Sequence, residues 1–109
     1  MKRGDLYAAA TGSSYGSKPR PVIIMQPRSF DELASRLVVP MTSDVDERIP
    51  FRPLVAPDEL NGLRRPSQAM VDKIMPVRLE KFGGRVGELS AADLERVERM
   101  MLLVLGLIA

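Results

Sequence analysis

Two short stretches carry residue types suited to chemistry on a phosphate. Lys18-Pro19-Arg20-Pro21 follows a Gly/Ser-rich segment and runs directly into the apolar Val22-Ile23-Ile24-Met25. Two prolines stiffen the backbone around Arg20 and reduce the entropy lost when it is ordered. A guanidinium is planar, permanently charged and matched to pairs of phosphate oxygens. The second stretch is Thr42-Ser43, directly after the apolar Leu37-Val38-Val39-Pro40-Met41. Hydroxyls at the end of a buried strand can hydrogen-bond a ligand from a rigid frame. Taken singly, each stretch also reads plainly, as a surface arginine and as turn chemistry.

Other chemistry is excluded by composition. The 109 residues include no histidine and no cysteine. Disulfides, thiol nucleophiles and redox work are therefore ruled out, together with every triad that needs an imidazole. Asp44, Asp46 and Glu47 form an acidic loop that lacks the glycine and the closing glutamate of a calcium loop, so no metal site and no cofactor are expected. Catalysis would have to rest on arginine, lysine, carboxylates, hydroxyls or backbone.

Charge is unevenly spread. The net charge is +2, with twelve arginines and four lysines. Residues 1–28 carry five basic groups against one acid, 29–63 three against seven, and 64–88 six against three. Two basic segments flank an acidic one and would form a phosphate-binding face if they met in space. By itself, +2 is weak for a nucleic-acid binder, and a solvated surface is the plain reading.

The elements that must position these residues follow from hydropathy. With 45% hydrophobic residues the chain can bury a core, and its length suits one domain, residues 1–109. Strands are expected at 5–10, 22–25, 37–41, 51–55, 68–77 and 85–89. Continuous apolar runs at 22–25 and 37–41 suit strands buried on both faces. Pro40 suggests an edge or a bulge, Pro53 interrupts its strand, and Pro76 should end another. A short helical turn is expected at 29–33, and Asn61-Gly62 is a turn signal. Tyr7 reads as core.

Ser90-Ala91-Ala92-Asp93 gives a helix start of capping-box type, and Leu94, Val97, Met101, Val104 and Ile108 recur at helical spacing. The greasy end of this helix should be buried on more than one side, as core or as a subunit interface. The fold class is therefore α+β and mostly β, a small curled sheet or barrel capped by a C-terminal helix. No apolar segment follows the charged Met1-Lys2-Arg3, and no run approaches the roughly 20 residues of a membrane span. The cytoplasm and no membrane association are expected.

A series of short motifs, in order along the chain, resembles one family. It runs Lys2-Arg3-Gly4-Asp5-Leu6-Tyr7, Lys18-Pro19-Arg20-Pro21-Val22-Ile23-Ile24 and Val39-Pro40-Met41-Thr42-Ser43. It continues through Asn61-Gly62-Leu63, Val71-Asp72-Lys73-Ile74 and Val86-Gly87-Glu88-Leu89-Ser90 to Leu105-Gly106-Leu107-Ile108. The sequence resembles the MazF/PemK/Kid toxins of bacterial toxin–antitoxin pairs over essentially its whole length. The resemblance implies an SH3-like β-barrel with a C-terminal helix and a homodimer. It implies a metal-independent, sequence-selective endoribonuclease acting on single-stranded RNA, and a cognate antitoxin whose disordered acidic tail blocks the RNA groove.

The family's catalytic arginine falls on Arg20 and its catalytic threonine on Thr42. Cleavage would proceed by attack of a ribose 2′-hydroxyl on its own 3′-phosphate, leaving a 2′,3′-cyclic phosphate and a 5′-hydroxyl. Arg20 would stabilise the charge on phosphorus, and Thr42 would hold a phosphate oxygen or the hydroxyl in line. The RNA groove would use Ser14, Tyr15 (as a stacking platform), Lys18 and Ser43, with Lys73 and Arg78 as phosphate contacts. Two positions depart from the family. The first loop reads Ser13-Ser14-Tyr15-Gly16 where many members carry an acid, and Asp72-Lys73-Ile74-Met75 replaces the common Asp-Gln-Ile-Arg. Two other functions stay open: a DNA gyrase poison of the related CcdB type, although that family's C-terminal Trp-Gly-Ile is missing, and a catalytically inactive antitoxin-binding module.

Overall fold

The apolar runs settle where the centre of the molecule lies. In a computed structural model describing residues 1–12 and 18–109, Val22 and Ile24 pack into one cluster and Ile23 into another on the opposite face of the sheet. Val38 and Val39 divide between the same two clusters. Alternation of side chains along a strand explains why these runs are apolar without interruption: both faces are covered.

Among the described residues seven strands form the sheet: β1 (Asp5–Ala9), β2 (Arg20–Ile24), β3 (Ser35–Thr42), β4 (Leu54–Val55), β5 (Ser67–Ala69), β6 (Met75–Arg78) and β7 (Phe82–Glu88). One helix, α1 (Ala91–Val104), follows. The strand order is β4-β5-β3-β2-β1-β7, with β6 also paired to β3. All pairings are antiparallel. The result is a mostly β, curled half-barrel with one C-terminal helix, the class expected from the sequence.

The curl originates in β3. Ser35–Val38 pair with β6, whereas Met41 and Thr42 pair with β5 along the same edge. Pro40 sits at this change of partner. Its carbonyl accepts from Met70 N at 2.9 Å, so its ring nitrogen faces the same edge, where neither ladder needs a donor. The expectation of an edge or bulge is thereby corrected: Pro40 is buried in the central strand, at the gap between two partners. The same split corrects the single strand expected at 68–77, which is β5, a 3-10 turn at Val71–Lys73, and β6. Pro76 lies inside β6, and only Leu54–Val55 of the strand expected at 51–55 forms.

Helix α1 covers one face. Val97 is buried there, and Leu94, Met100 and Met101 pack against the cluster that includes Leu6, Ile23 and Val39. Ser90 caps the helix by accepting from Asp93 N at 3.1 Å. Gly106, at φ +73°, closes it: Gly106 N donates to Leu103 O and Leu107 N to Leu102 O. Ile108 therefore lies beyond the helix rather than on its stripe. The greasy end is not core of this chain, because Leu103, Val104, Leu105, Leu107 and Ile108 are 39–67% exposed. Tyr7 packs edge-on against Phe82, as core. Among the described residues, no helix is long and apolar enough to cross a membrane.

Candidate active site

Arg20 opens β2 and Thr42 closes β3. The register of these strands pairs Val22 with Pro40 and Ile23 with Val39. The ladder ends at Val22 and Pro40, two residues short of Arg20 and Thr42, which lie at the same end of these adjacent strands. Both line one open cavity of about 770 Å³, together with Lys18 and Ser43. The structure thus brings together four of the residues singled out in the sequence.

Two others, Lys73 and Arg78, are not gathered there. Lys73, on the 3-10 turn before β6, is exposed and does not line the cavity. Arg78 pairs in register with Ser35, at the opposite end of β3 from Thr42, about 23 Å away at the rise of an extended strand. Its guanidinium bonds to Glu80. Ser14 and Tyr15 lie outside the described residues.

The segment that follows Thr42-Ser43 is fastened to the sheet by side-chain hydrogen bonds. Gln68, opposite Thr42 in β5, is only 4% exposed. Its Oε1 accepts from Asp46 N at 2.7 Å, and its Nε2 donates to the carbonyls of Asp46 and Arg52, both at 3.2 Å. Residues 44–52, which follow Thr42-Ser43, are thus held against β5. Arg52 adds a two-pronged bond to Asp72, both distances 2.9 Å. That guanidinium holds the Asp72 carboxyl below the usual carboxylate range. Thr42 Oγ1 accepts from Asp44 N at 3.1 Å, which leaves the hydroxyl proton free to donate into the cavity.

The facing wall is one that sequence reasoning missed. Arg64 and Arg65 line the same cavity. They follow Asn61-Gly62, which is not a hairpin turn but a turn docked on β7. Asn61 is fully buried. Its Oδ1 accepts from Asp58 N at 3.1 Å and Leu63 N at 2.9 Å, and its Nδ2 donates to Ala56 O at 2.9 Å. Leu60 O accepts from Glu88 N at 3.1 Å. Gly62 has φ +68°, and a Cβ there would meet Val86 O at 2.2 Å. The only signal in the sequence was the arginine pair at the start of a basic segment.

Electrostatics single out this cavity. Of the twelve arginines, seven pair with a carboxylate. Of the five that do not among the described residues, Arg20, Arg64 and Arg65 line the cavity. Lys18 adds a fourth cation, and Asp44 is the one carboxylate among the described lining residues. Uncompensated guanidiniums around a hydroxyl on a fixed strand end can hold a phosphodiester and stabilise negative charge on it. Among the described residues, no three His, Cys, Asp or Glu side chains gather where they could hold a metal ion.

Known proteins share both sequence and fold with this chain. A family described as PemK-like, MazF-like toxin of type II toxin–antitoxin system matches residues 2–105. A protein of Mycolicibacterium smegmatis named a probable endoribonuclease MazF is 42% identical over 108 residues, covering 98% of each chain. The Mycobacterium tuberculosis toxin MazF-mt6 superposes with a TM-score of 0.80 at 22% identity, over 96% of this chain and 99% of that one. An endoribonuclease from a mycobacterial species, solved in complex with its cognate antitoxin, superposes at 0.76 with 20% identity, over 100% and 96%. At these identities the two structures speak for the fold, and the sequence matches speak for kinship. The chain belongs to the PemK-like, MazF-like toxins of type II toxin–antitoxin systems.

Proposed function

We propose that this chain, as one toxin domain over residues 1–109, is an endoribonuclease that cuts single-stranded RNA without a metal ion. The observation that carries the reading is Arg20, without a carboxylate partner among the described residues, lining one cavity with Thr42 and three more cations. Kinship to a protein named an endoribonuclease supports it. The substrate's own 2′-hydroxyl attacks the adjacent phosphorus, and the P–O5′ bond breaks. The products are a 2′,3′-cyclic phosphate and a 5′-hydroxyl. Because the nucleophile belongs to the substrate, the protein has only to align the attack and stabilise charge on five-coordinate phosphorus. Arg20 supplies two parallel N–H donors for that charge, a contribution typically worth about 10²–10³ in rate. Thr42 donates its free hydroxyl proton to a phosphate oxygen and holds the group in line. Lys18 and Ser43 hold the strand beside the cut. Ser14 and Tyr15 complete the groove, and Lys73 and Arg78 contact phosphates further along.

Two partners besides RNA belong to the same proposal. The chain works as a homodimer in the cytoplasm, consistent with the exposed apolar end Leu103–Ile108, which a lone chain leaves in water. An antitoxin with a disordered acidic tail holds it in check, as the uncompensated cations of the cavity would favour. The test is incubation of mixed-sequence RNA with the protein in excess EDTA, beside Arg20→Ala and Thr42→Ala. Cyclic-phosphate ends at a short recurring motif, lost in both variants, are expected. No cleavage by the folded protein would overturn the reading, and a supercoiling assay would then test for a gyrase poison.

A further inference from the structure

The reaction needs a group to take the proton from the 2′-hydroxyl, and the cavity narrows the choice to one side chain. The chain has no histidine and no cysteine. The ionisable side chains among the described lining residues are Lys18, Arg20, Asp44, Arg64 and Arg65. Ammonium and guanidinium groups hold their protons at neutral pH and accept none. Residues 13–17, outside the described ones, are Ser, Ser, Tyr, Gly and Ser, and a phenol also keeps its proton at neutral pH. A carboxylate is the one class present that is ionised and able to accept.

We propose that Asp44 is the general base of the cleavage, an inference that rests on the ribonuclease reading. Its position is tied to the reacting groups. Asp44 N donates to Thr42 Oγ1 at 3.1 Å, so the backbone that carries the carboxylate is held two residues from the hydroxyl that aligns the phosphate. Behind it, Gln68 fixes the backbone at Asp46. Asp44 is exposed to the cavity, and no ion pair engages its carboxylate among the described residues, unlike Asp46 in the same loop and Asp72 beyond it. A carboxylate among four cations also suits a division of labour. The base removes the proton, while Arg20 and its neighbours hold the phosphate that the carboxylate would otherwise repel.

Atoms and charges balance in this step. The Asp44 carboxylate takes the 2′-hydroxyl proton as the 2′-oxygen bonds to phosphorus. The P–O5′ bond breaks with its electron pair on the 5′-oxygen, which takes a proton from water in the open cavity. Asp44 then returns its proton to solvent.

The test is Asp44→Asn, with Asp44→Glu and Arg20→Ala beside it, in RNA binding and single-turnover cleavage across pH. Asn keeps the backbone N–H that Thr42 accepts from, and the side chain is exposed, so the fold is preserved. General-base catalysis contributes about 10²–10⁴ in rate, and Asp44→Asn should lose that much. RNA affinity should be unchanged or tighter, because a negative charge leaves a cationic cavity. The fall in wild-type rate on the acid side should vanish in Asp44→Asn and persist in Asp44→Glu. If Asp44 were only a neighbour of the site, its removal would leave cleavage as fast or faster. Cleavage within a few-fold of wild type, or an acid-side fall that survives Asp44→Asn, overturns the proposal while Arg20→Ala still reports on the ribonuclease reading. A wild-type protein that cuts no RNA overturns both.

Discussion

Gly62 is where the turn leading to Arg64 and Arg65 is bolted to the sheet, and replacing it measures that attachment. At φ +68°, an L-residue costs about 1–2 kcal/mol in backbone strain alone. In addition, a Cβ at Gly62 would lie 2.2 Å from the Val86 carbonyl oxygen, a backbone atom of β7 that cannot swing away as a side chain would. Overpacking of this kind adds about 1–3 kcal/mol. Gly62→Ala should therefore destabilise by about 2–5 kcal/mol, the sum of the two contributions. Gly106 provides the control, because its φ of +73° is nearly the same but a Cβ there meets nothing within 4 Å. Gly106→Ala should carry only the backbone cost, about 1–2 kcal/mol. Urea denaturation followed by circular dichroism, at one fixed protein concentration, reads both. The difference between the variants isolates the contact with β7. Equal losses for the two would refute the reasoning, since they would mean that the 60–62 turn does not press on Val86.

Three further outcomes can be checked. Asp72→Asn should remove about 1 kcal/mol at pH 7, the scale of a two-pronged surface pair. The Arg52 guanidinium lowers the Asp72 carboxyl below its unfolded value, so this stability is present in full above about pH 4 and disappears as pH falls through the lowered native value. Urea midpoints of wild type and variant should thus differ at pH 7 and converge in strong acid, and a constant gap would contradict the pairing. Ser90→Ala removes the acceptor of Asp93 N and should cost about 1 kcal/mol in the same denaturation assay; a loss below a few tenths would mean that the cap contributes nothing. Arg64→Ala and Arg65→Ala should each lower the slope of log affinity against log salt by about 0.7 if each meets one phosphate of a single strand, as read by fluorescence anisotropy. An unchanged slope would place both side chains away from the RNA.

What the sequence revealed was what local pattern controls. Val22–Met25 and Leu37–Met41 announced strands covered on both faces, and those strands carry Arg20 and Thr42 at their adjacent ends. Ser90 and Asp93 announced the helix start, and the hydrogen bond between them is there. What local pattern does not control was missed. Nothing near Pro40 signals that β3 changes partner at that residue, because the change depends on where β5 and β6 arrive from elsewhere in the chain. For the same reason 68–77 read as one strand. Arg64 and Arg65 reach the cavity only because Asn61 is buried against β7, about 25 residues further on, and a turn signal says nothing about where the turn docks. Asp44 read as one acid in a solvated loop, since its significance lies in facing four cations brought in from elsewhere in the chain.

The claim that the substrate supplies its own nucleophile is tested most directly by a change of one oxygen atom. Once the cleavage motif is known, an RNA is made with 2′-deoxyribose at the single nucleotide whose 3′-phosphate is cut. Its binding and cleavage by the wild-type protein in excess EDTA are measured beside those of the all-ribose strand. Affinity should stay within a few-fold while cleavage at that position is lost. Cleavage of the deoxy-substituted strand at an undiminished rate would contradict the claim, because water or another group would then be attacking the phosphorus that Arg20 and Thr42 hold.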